Sequence, residues 1–211
     1  CALNIRIGSE KAYFFVPEQG SIGLPFSGTY NVFNALAAIS AARTFALSPE
    51  VIRAGISKVK SAFGRQEVIN YHGRKLHIFL TKNPAGANEV LNFIANTTES
   101  PSIAIILNDG IADGRDVSWI WDVDYERLSG IVQRCWASGD RASDIALRFH
   151  YAEWPNPRAT IPQVKKLLDK INADTLPGEE IYLLSTYTAL LDLYSELKRR
   201  GVTNSFWWSK S

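Results

Sequence analysis

The sequence predicts an α/β protein in two parts, the second of which is a mainly parallel sheet flanked by helices. Three observations predict it. After Arg65, strand patterns alternate with helical ones, the order of βαβ units with right-handed crossovers. Within that region the apolar run IAIIL at 103–107 has the length and polar bounds of a strand buried on both faces. Before Arg65 the pattern is two short alternating segments and then helical spacing. The change at Ser61-Ala62-Phe63-Gly64-Arg65 therefore marks a boundary between residues 1–64 and 65–211.

Taken in order, Leu3–Ile7 and Ala12–Val16 alternate around a Gly8-Ser9 turn and read as strands. Residues 20–28 are turn-rich and read as a connection. Residues 29–46, TYNVFNALAAISAARTFA, are alanine-rich with apolar residues at helical spacing. Ser48 is placed as an N-cap, with Pro49 in the first turn of a second helix running to 59. Beyond the boundary, strands are predicted at 67–71, 76–80, 103–107, 131–137 and 181–184. Helices are predicted at 86–96, 140–151, 161–172 and Tyr187–Arg199. Phe206-Trp207-Trp208 reads as a hydrophobic latch onto this domain, or else as part of an interface.

Composition narrows the function classes. A chain of 211 residues suits one sizeable domain or two small ones. A net charge of +2 gives no reason to expect nucleic acid or a membrane surface as partner. No apolar run approaches the roughly 20 residues of a transmembrane helix, and no leader is recognised. Two cysteines, Cys1 and Cys135, make no disulfide framework, so a reducing cytoplasm is expected. Cys1 stands where an initiator methionine is expected and the chain has no methionine, so it reads as part of something longer.

The chemistry-bearing residues gather after the 103–107 strand. Asn108, Asp109, Asp113, Arg115, Asp116, Asp122 and Asp124 crowd into one loop with Trp119 and Trp121. Ligands of open α/β sheets bind outside the carboxyl ends of the strands. The loop is either a solvated acidic segment pinned by tryptophans or a site where one carboxylate has a chemical role. Asn31 and Asn34, three apart near a helix start, share a face and could read an adenine edge, or could cap and solvate the helix. Arg65 could clamp a phosphate or ribose, or pair with Glu67. Lys82 and Asn83, at a strand end and helix mouth, favour an anion such as phosphate. His72, His77 and His150 share no metal-like spacing, Cys135 lies in an apolar strand as an inert thiol, and Asp124 is expected to cap a helix.

In this order and spacing, GTYNVFNALAA at 28–38, FGRQE at 63–67, KNPAG at 82–86 and LNDGIADGRDVSWIWD at 107–122 resemble the Mur ligase superfamily, and within it the MurT ligases. The resemblance covers about residues 24–200. It implies a Rossmann-like carboxyl-terminal domain preceded by the end of the central, ATP-binding domain. It also implies a ligase in which ATP activates the α-carboxyl of D-glutamate in the lipid II stem peptide as an acyl phosphate. Ammonia released from glutamine by the GatD glutaminase partner then gives D-isoglutamine, at the inner face of the membrane. By the same resemblance Asn31 and Asn34 meet the adenine, Arg65 the ribose–phosphate region, and Lys82 and Asn83 the phosphates. Asp116 would complete a Cys–His–Asp arrangement in GatD, since a cysteine–histidine pair needs a third group to orient the imidazole. Trp119 and Trp121 would pack the loop rigidly around it. The sequence also departs from the family. It has no GTNGKT phosphate loop, none of the region that supplies Mg²⁺ ligands, and no four-cysteine zinc ribbon, of which Cys1 could be a last remnant. The chain is therefore expected not to ligate on its own. Two alternatives stand beside this reading: a non-catalytic GatD-docking module, and a solitary Mur or folylpolyglutamate-type ligase. The latter is disfavoured because DGRDVSW is not a feature of solitary ligases.

Overall fold

The computed structural model describes residues 3–8, 11–25, 28–59 and 65–203. Cys1, Gly64 and the Phe206-Trp207-Trp208 tail lie outside the described residues, as does the side chain of Arg65. The chain forms two compact units, Cys1–Gln66 and Glu67–Ser211.

The first unit is built on an antiparallel sheet of β1 (Leu3–Ile7), β2 (Ala12–Val16) and β3 (Gly20–Leu24), in that order. β2 alternates strictly, with Ala12, Phe14 and Val16 inward and Tyr13 and Phe15 outward. β3 corrects the expectation of a connection at 20–28. Ile22 and Leu24 pair with Phe14 and Ala12, so the segment buries a strand face despite its glycines. Helix α1 (Thr29–Thr44) lays Val32, Ala35 and Ile39 in the same core as Phe14 and Ile22. Helix α2 (Pro49–Ser57) starts as expected: Ser48 Oγ accepts from the Val51 N–H at 3.5 Å, and Ile52 and Ile56 are buried.

The second unit is a six-stranded sheet with flanking helices. In chain order it contains β4 (Arg65–Tyr71), β5 (Arg74–Leu80), α3 (Pro84–Thr97), β6 (Ser102–Ile106), β7 (Arg134–Ser138), α4 (Ala142–Tyr151), β8 (Thr160–Ile161), α5 (Val164–Asp174), β9 (Glu180–Ser185) and α6 (Tyr187–Arg199). The spatial order is β4-β5-β9-β6-β7-β8. β5, β9, β6, β7 and β8 pair in parallel. β4 joins β5 through a two-residue turn, His72-Gly73, with both residues at positive φ, a link that only antiparallel neighbours accept. All of β6 is buried, as a central parallel strand requires. Ile103 and Ile105 share one core with Leu91 and Ile94 of α3 and Ile145 and Phe149 of α4.

Element ends moved where the backbone had other partners. β7 begins at Arg134 rather than 131 because the Ile131 and Val132 N–H groups donate to the Leu128 carbonyl. α4 begins at Ala142 rather than 140 because the Asp140 and Arg141 N–H groups donate to Asn108 Oδ1 and the Leu107 carbonyl. The two-residue β8, not foreseen, holds Ile161 in the sheet and delays α5 to Val164. Among the described residues no helix is long and apolar enough to cross a membrane.

Candidate functional site

The site lies at the carboxyl edge of the parallel sheet. Leu80 of β5 and Ile106 of β6 both stand opposite Ser185 of β9, so the segments that follow them leave the sheet at one level. With one strand between them, they start about 10 Å apart. After β5, Thr81 donates its N–H to Ser185 and is buried, while Lys82 and Asn83 are exposed. Asn83 is the N-cap of α3: its Oδ1 accepts from the Gly86 N–H at 2.8 Å, and Pro84 occupies the first turn. That leaves the Asn83 amide N–H groups and the Lys82 ammonium as donors beside a helix amino terminus, a setting that favours an anion.

The loop after β6 is held by residues from three other elements. Asn108, buried, receives the Asp140 N–H at 3.1 Å, and its own amide donates to Thr188 Oγ1 at 3.1 Å and Asp192 Oδ2 at 3.3 Å. It therefore ties the ends of β6, β7 and β9 together. Gly139 is needed for this closeness: it has φ +89°, and a Cβ there would fall 2.4 Å from the Leu107 carbonyl oxygen. Asp113 accepts from the Thr188 N–H at 2.9 Å and from the Thr188 hydroxyl, so it caps α6 from outside the helix. Asp109 pairs with Arg141 at 3.2 Å.

Asp116 is exposed on this braced loop, and its Oδ1 accepts from the Ser118 N–H at 2.9 Å. That backbone hydrogen bond holds its carboxyl below the usual carboxylate range, so it is ionised at neutral pH. Ser118 opens a 3-10 turn, Ser118–Asp122, followed by a second, Tyr125–Leu128. Beneath both lies Arg148 of α4, its side chain only 4% exposed. Its guanidinium donates to the Ile120 carbonyl at 3.3 Å, the Val123 carbonyl at 2.8 Å and Glu126 at 2.7 Å, and stacks on Tyr125 at 5.0 Å. Trp154 donates to the Tyr125 carbonyl at 2.9 Å. Trp119 packs against the core, whereas Trp121 is 47% exposed, so only the first of the two expected anchors is largely internal. Asp124 makes no side-chain cap bond; its N–H is held by Asn88 Oδ1 at 2.8 Å instead.

The remaining candidates are placed as follows. Asn31 is buried and Asn34 exposed, both on α1 of the first unit. Arg65 enters β4 by its backbone. His77 pairs with Glu180 at 2.9 Å and stacks on Tyr182, a structural role. Burial pushes the Cys135 thiol up to about 12, leaving it inert. Among the described residues no three His, Cys, Asp or Glu side chains gather to hold a metal ion, so neither Mg²⁺ nor zinc is assigned to residues of this chain. A cavity of about 300 Å³ opens at the opposite, amino-terminal end of the strands, but its Arg134 is fully engaged by Ser102, Gln133, Glu179 and the Asp174 carbonyl. Asn108, Asp113 and Arg148 are the organising residues that sequence reasoning missed. Only Arg148 carried a local signal, as an arginine within the apolar stripe Ala142, Ile145 and Phe149.

The profile of the "MurT ligase C-terminal" family matches residues 80–190. The lipid II isoglutaminyl synthase (glutamine-hydrolyzing) subunit MurT of Streptococcus pneumoniae is 34% identical over 89% of this chain and 42% of its own length. The corresponding subunit of Staphylococcus aureus strain COL is 32% identical over 83% of this chain and 40% of its own length. The chain thus spans about two fifths of the curated relatives it matches. Among solved structures, MurF from Acinetobacter baumannii superposes with a TM-score of 0.69 at 21% identity, over 92% of this chain and 45% of that one, which shows a shared fold.

Proposed function

We propose, given that this chain belongs to the MurT ligase C-terminal family, that it is the carboxyl-terminal portion of a ligase subunit that amidates the α-carboxyl of D-glutamate in lipid II. Amidation is driven by ATP and uses ammonia that a GatD-type glutaminase partner releases from glutamine. Residues 1–64 are then the end of a central ATP-binding domain and 65–211 the carboxyl-terminal domain. Asn31 and Asn34 serve the adenine, Arg65 the ribose–phosphate region, and Lys82 with Asn83 the phosphates. Lys82 and the Asn83 amide fit this role because they are donors at the mouth of α3.

The observation that carries the reading is Asp116: an exposed, ionised carboxylate on a loop braced from β9, α4 and α6, within the DGRD motif. It does in the partner's site what the third member of a triad does. It accepts the imidazole N–H, fixes the tautomer and stabilises the imidazolium as the cysteine is deprotonated. The test mixes this chain with the GatD glutaminase of the same genome and follows glutamine hydrolysis. Asp116→Asn keeps the acceptor for Ser118 but loses the charge. Turnover should fall by at least about 100-fold; a serine triad loses about 10⁴-fold, and cysteine depends less on its base. Asp122→Asn and Asp124→Asn should retain most activity. Wild-type turnover in Asp116→Asn refutes the assignment, and a wild-type chain that binds the glutaminase without raising its turnover identifies a docking module instead.

A further inference from the structure

We propose that the exposed apolar surface formed by Trp121, Leu147 and Tyr151 is where the glutaminase partner docks. The inference rests on the reading of Asp116 as that partner's third catalytic group. α4 turns Ala142, Ile145, Arg148 and Phe149 inward. Leu147 and Tyr151, four residues apart, share its outer side and are 51% and 62% exposed. The Tyr151 ring meets the ring of Trp121 edge-on at 5.5 Å, and the buried Arg148 guanidinium sits 5.6 Å from the Trp121 ring. Both exposed rings are therefore held in place before any partner arrives, which lowers the ordering cost of burying them. Tryptophan and tyrosine are also the residue types that dominate interface energetics.

The occupant follows from Asp116. A histidine can reach that carboxylate only if its protein covers the surrounding surface. A stable interface buries about 800 Å² on each side, equivalent to a disc of roughly 16 Å radius. Two extended steps take the chain from Asp116 to Ser118, and three steps of the 3-10 turn take it on to Trp121. The two α-carbons are thus at most about 13 Å apart. A partner centred on Asp116 therefore reaches Trp121, and through it Tyr151. Leu176 offers a control: it is 70% exposed, but it lies just before β9, at the amino-terminal end of the strands.

Binding of this chain to the GatD glutaminase of the same genome is measured by calorimetry, with circular dichroism confirming that each variant is folded. Leu147→Arg and Tyr151→Ser should each weaken binding at least about tenfold. Leu176→Arg and Asp116→Asn should bind within about twofold of wild type. Two patch variants are used so that a folding defect in one leaves the other informative. If wild type binds and both folded patch variants bind equally well, the docking surface is elsewhere, while the role of Asp116 stands or falls by its own assay. If the patch variants keep the glutaminase but lose adsorption to anionic phospholipid vesicles, the face is a membrane contact and the proposal is overturned. A wild-type chain that does not bind the glutaminase removes the underlying reading, and this inference with it.

Discussion

Asp113 and Asp116 stand three residues apart in one loop and serve opposite ends. Asp113 gives both carboxylate oxygens to Thr188 at the start of α6, so its charge is committed to the fold. Asp116 gives one oxygen to a neighbouring N–H and stays exposed. Their substitutions should separate cleanly. Asp113→Ala removes a helix cap and a loop anchor and should lower stability by about 1–2 kcal/mol in urea unfolding. Asp116→Asn should leave the unfolding midpoint within about 0.5 kcal/mol of wild type while abolishing most support of glutamine hydrolysis. A stability loss of equal size in both would mean that the loop is held by Asp116 as well.

Two elements set the rigidity of the second unit. The first is the pair of 3-10 turns over Arg148. A 3-10 segment has poor internal hydrogen bonding, and here a buried guanidinium supplies the missing donors to the Ile120 and Val123 carbonyls. Arg148→Met would leave those carbonyls and Glu126 without their donor, and should cost about 2–4 kcal/mol in denaturant unfolding. Arg148→Lys should recover little of it, because an ammonium cannot reproduce the planar fork. The second element is the carboxyl end of α6. There Glu196 accepts from Arg199 at 2.7 and 2.6 Å and from Arg200 at 2.7 Å, while Arg200 also reaches Tyr71 at 2.5 Å and Asp169 at 2.8 Å. The hydrogen bonds from the two arginines draw the Glu196 carboxyl down to about 2. A carboxyl lowered in the folded state contributes stability above its unfolded value of about 4.3 and loses it as the pH falls from there toward 2. Glu196→Gln should therefore be less stable than wild type at neutral pH, with the gap closing between about pH 5 and 2. A gap independent of pH would show that the carboxylate charge contributes nothing.

At the scale of the whole molecule, each unit has its own core: Phe14, Ile22, Val32 and Ile39 in the first, and the sheet-centred cluster of Leu91, Ile103, Ile105, Ile145 and Phe149 in the second. A segment that buries its own core can fold by itself. Residues 67–211 expressed alone should unfold in one cooperative transition by calorimetry, with near-ultraviolet circular dichroism showing ordered tryptophans. Loss of cooperativity would show that the second unit depends on the first. The site divides along the same line: the phosphate-facing donors Lys82 and Asn83 and the Asp116 loop belong to the second unit, whereas the proposed adenine amides belong to the first.

Local signals in the chain were enough to determine the strand and helix alternation after Arg65, the two strands Leu3–Ile7 and Ala12–Val16, the Ser48-Pro49 helix start and the α6 limits. Each of these rests on periodicity or capping within a few residues. The KNPAG and DGRDVSW motifs also marked the carboxyl edge of the sheet correctly, because they directly follow apolar strands. Only the tertiary structure decided that Gly20–Leu24 is a strand, since its glycines have no strand preference and β2 supplies the pairing. It alone distinguished the loop's aspartates as well. Asp109 is held by Arg141, 32 residues away, and Asp113 by Thr188, 75 residues away, and no local pattern encodes either partner. Asp116 is left exposed because these distant residues engage its neighbours instead. A carboxylate's role is set by what surrounds it in space.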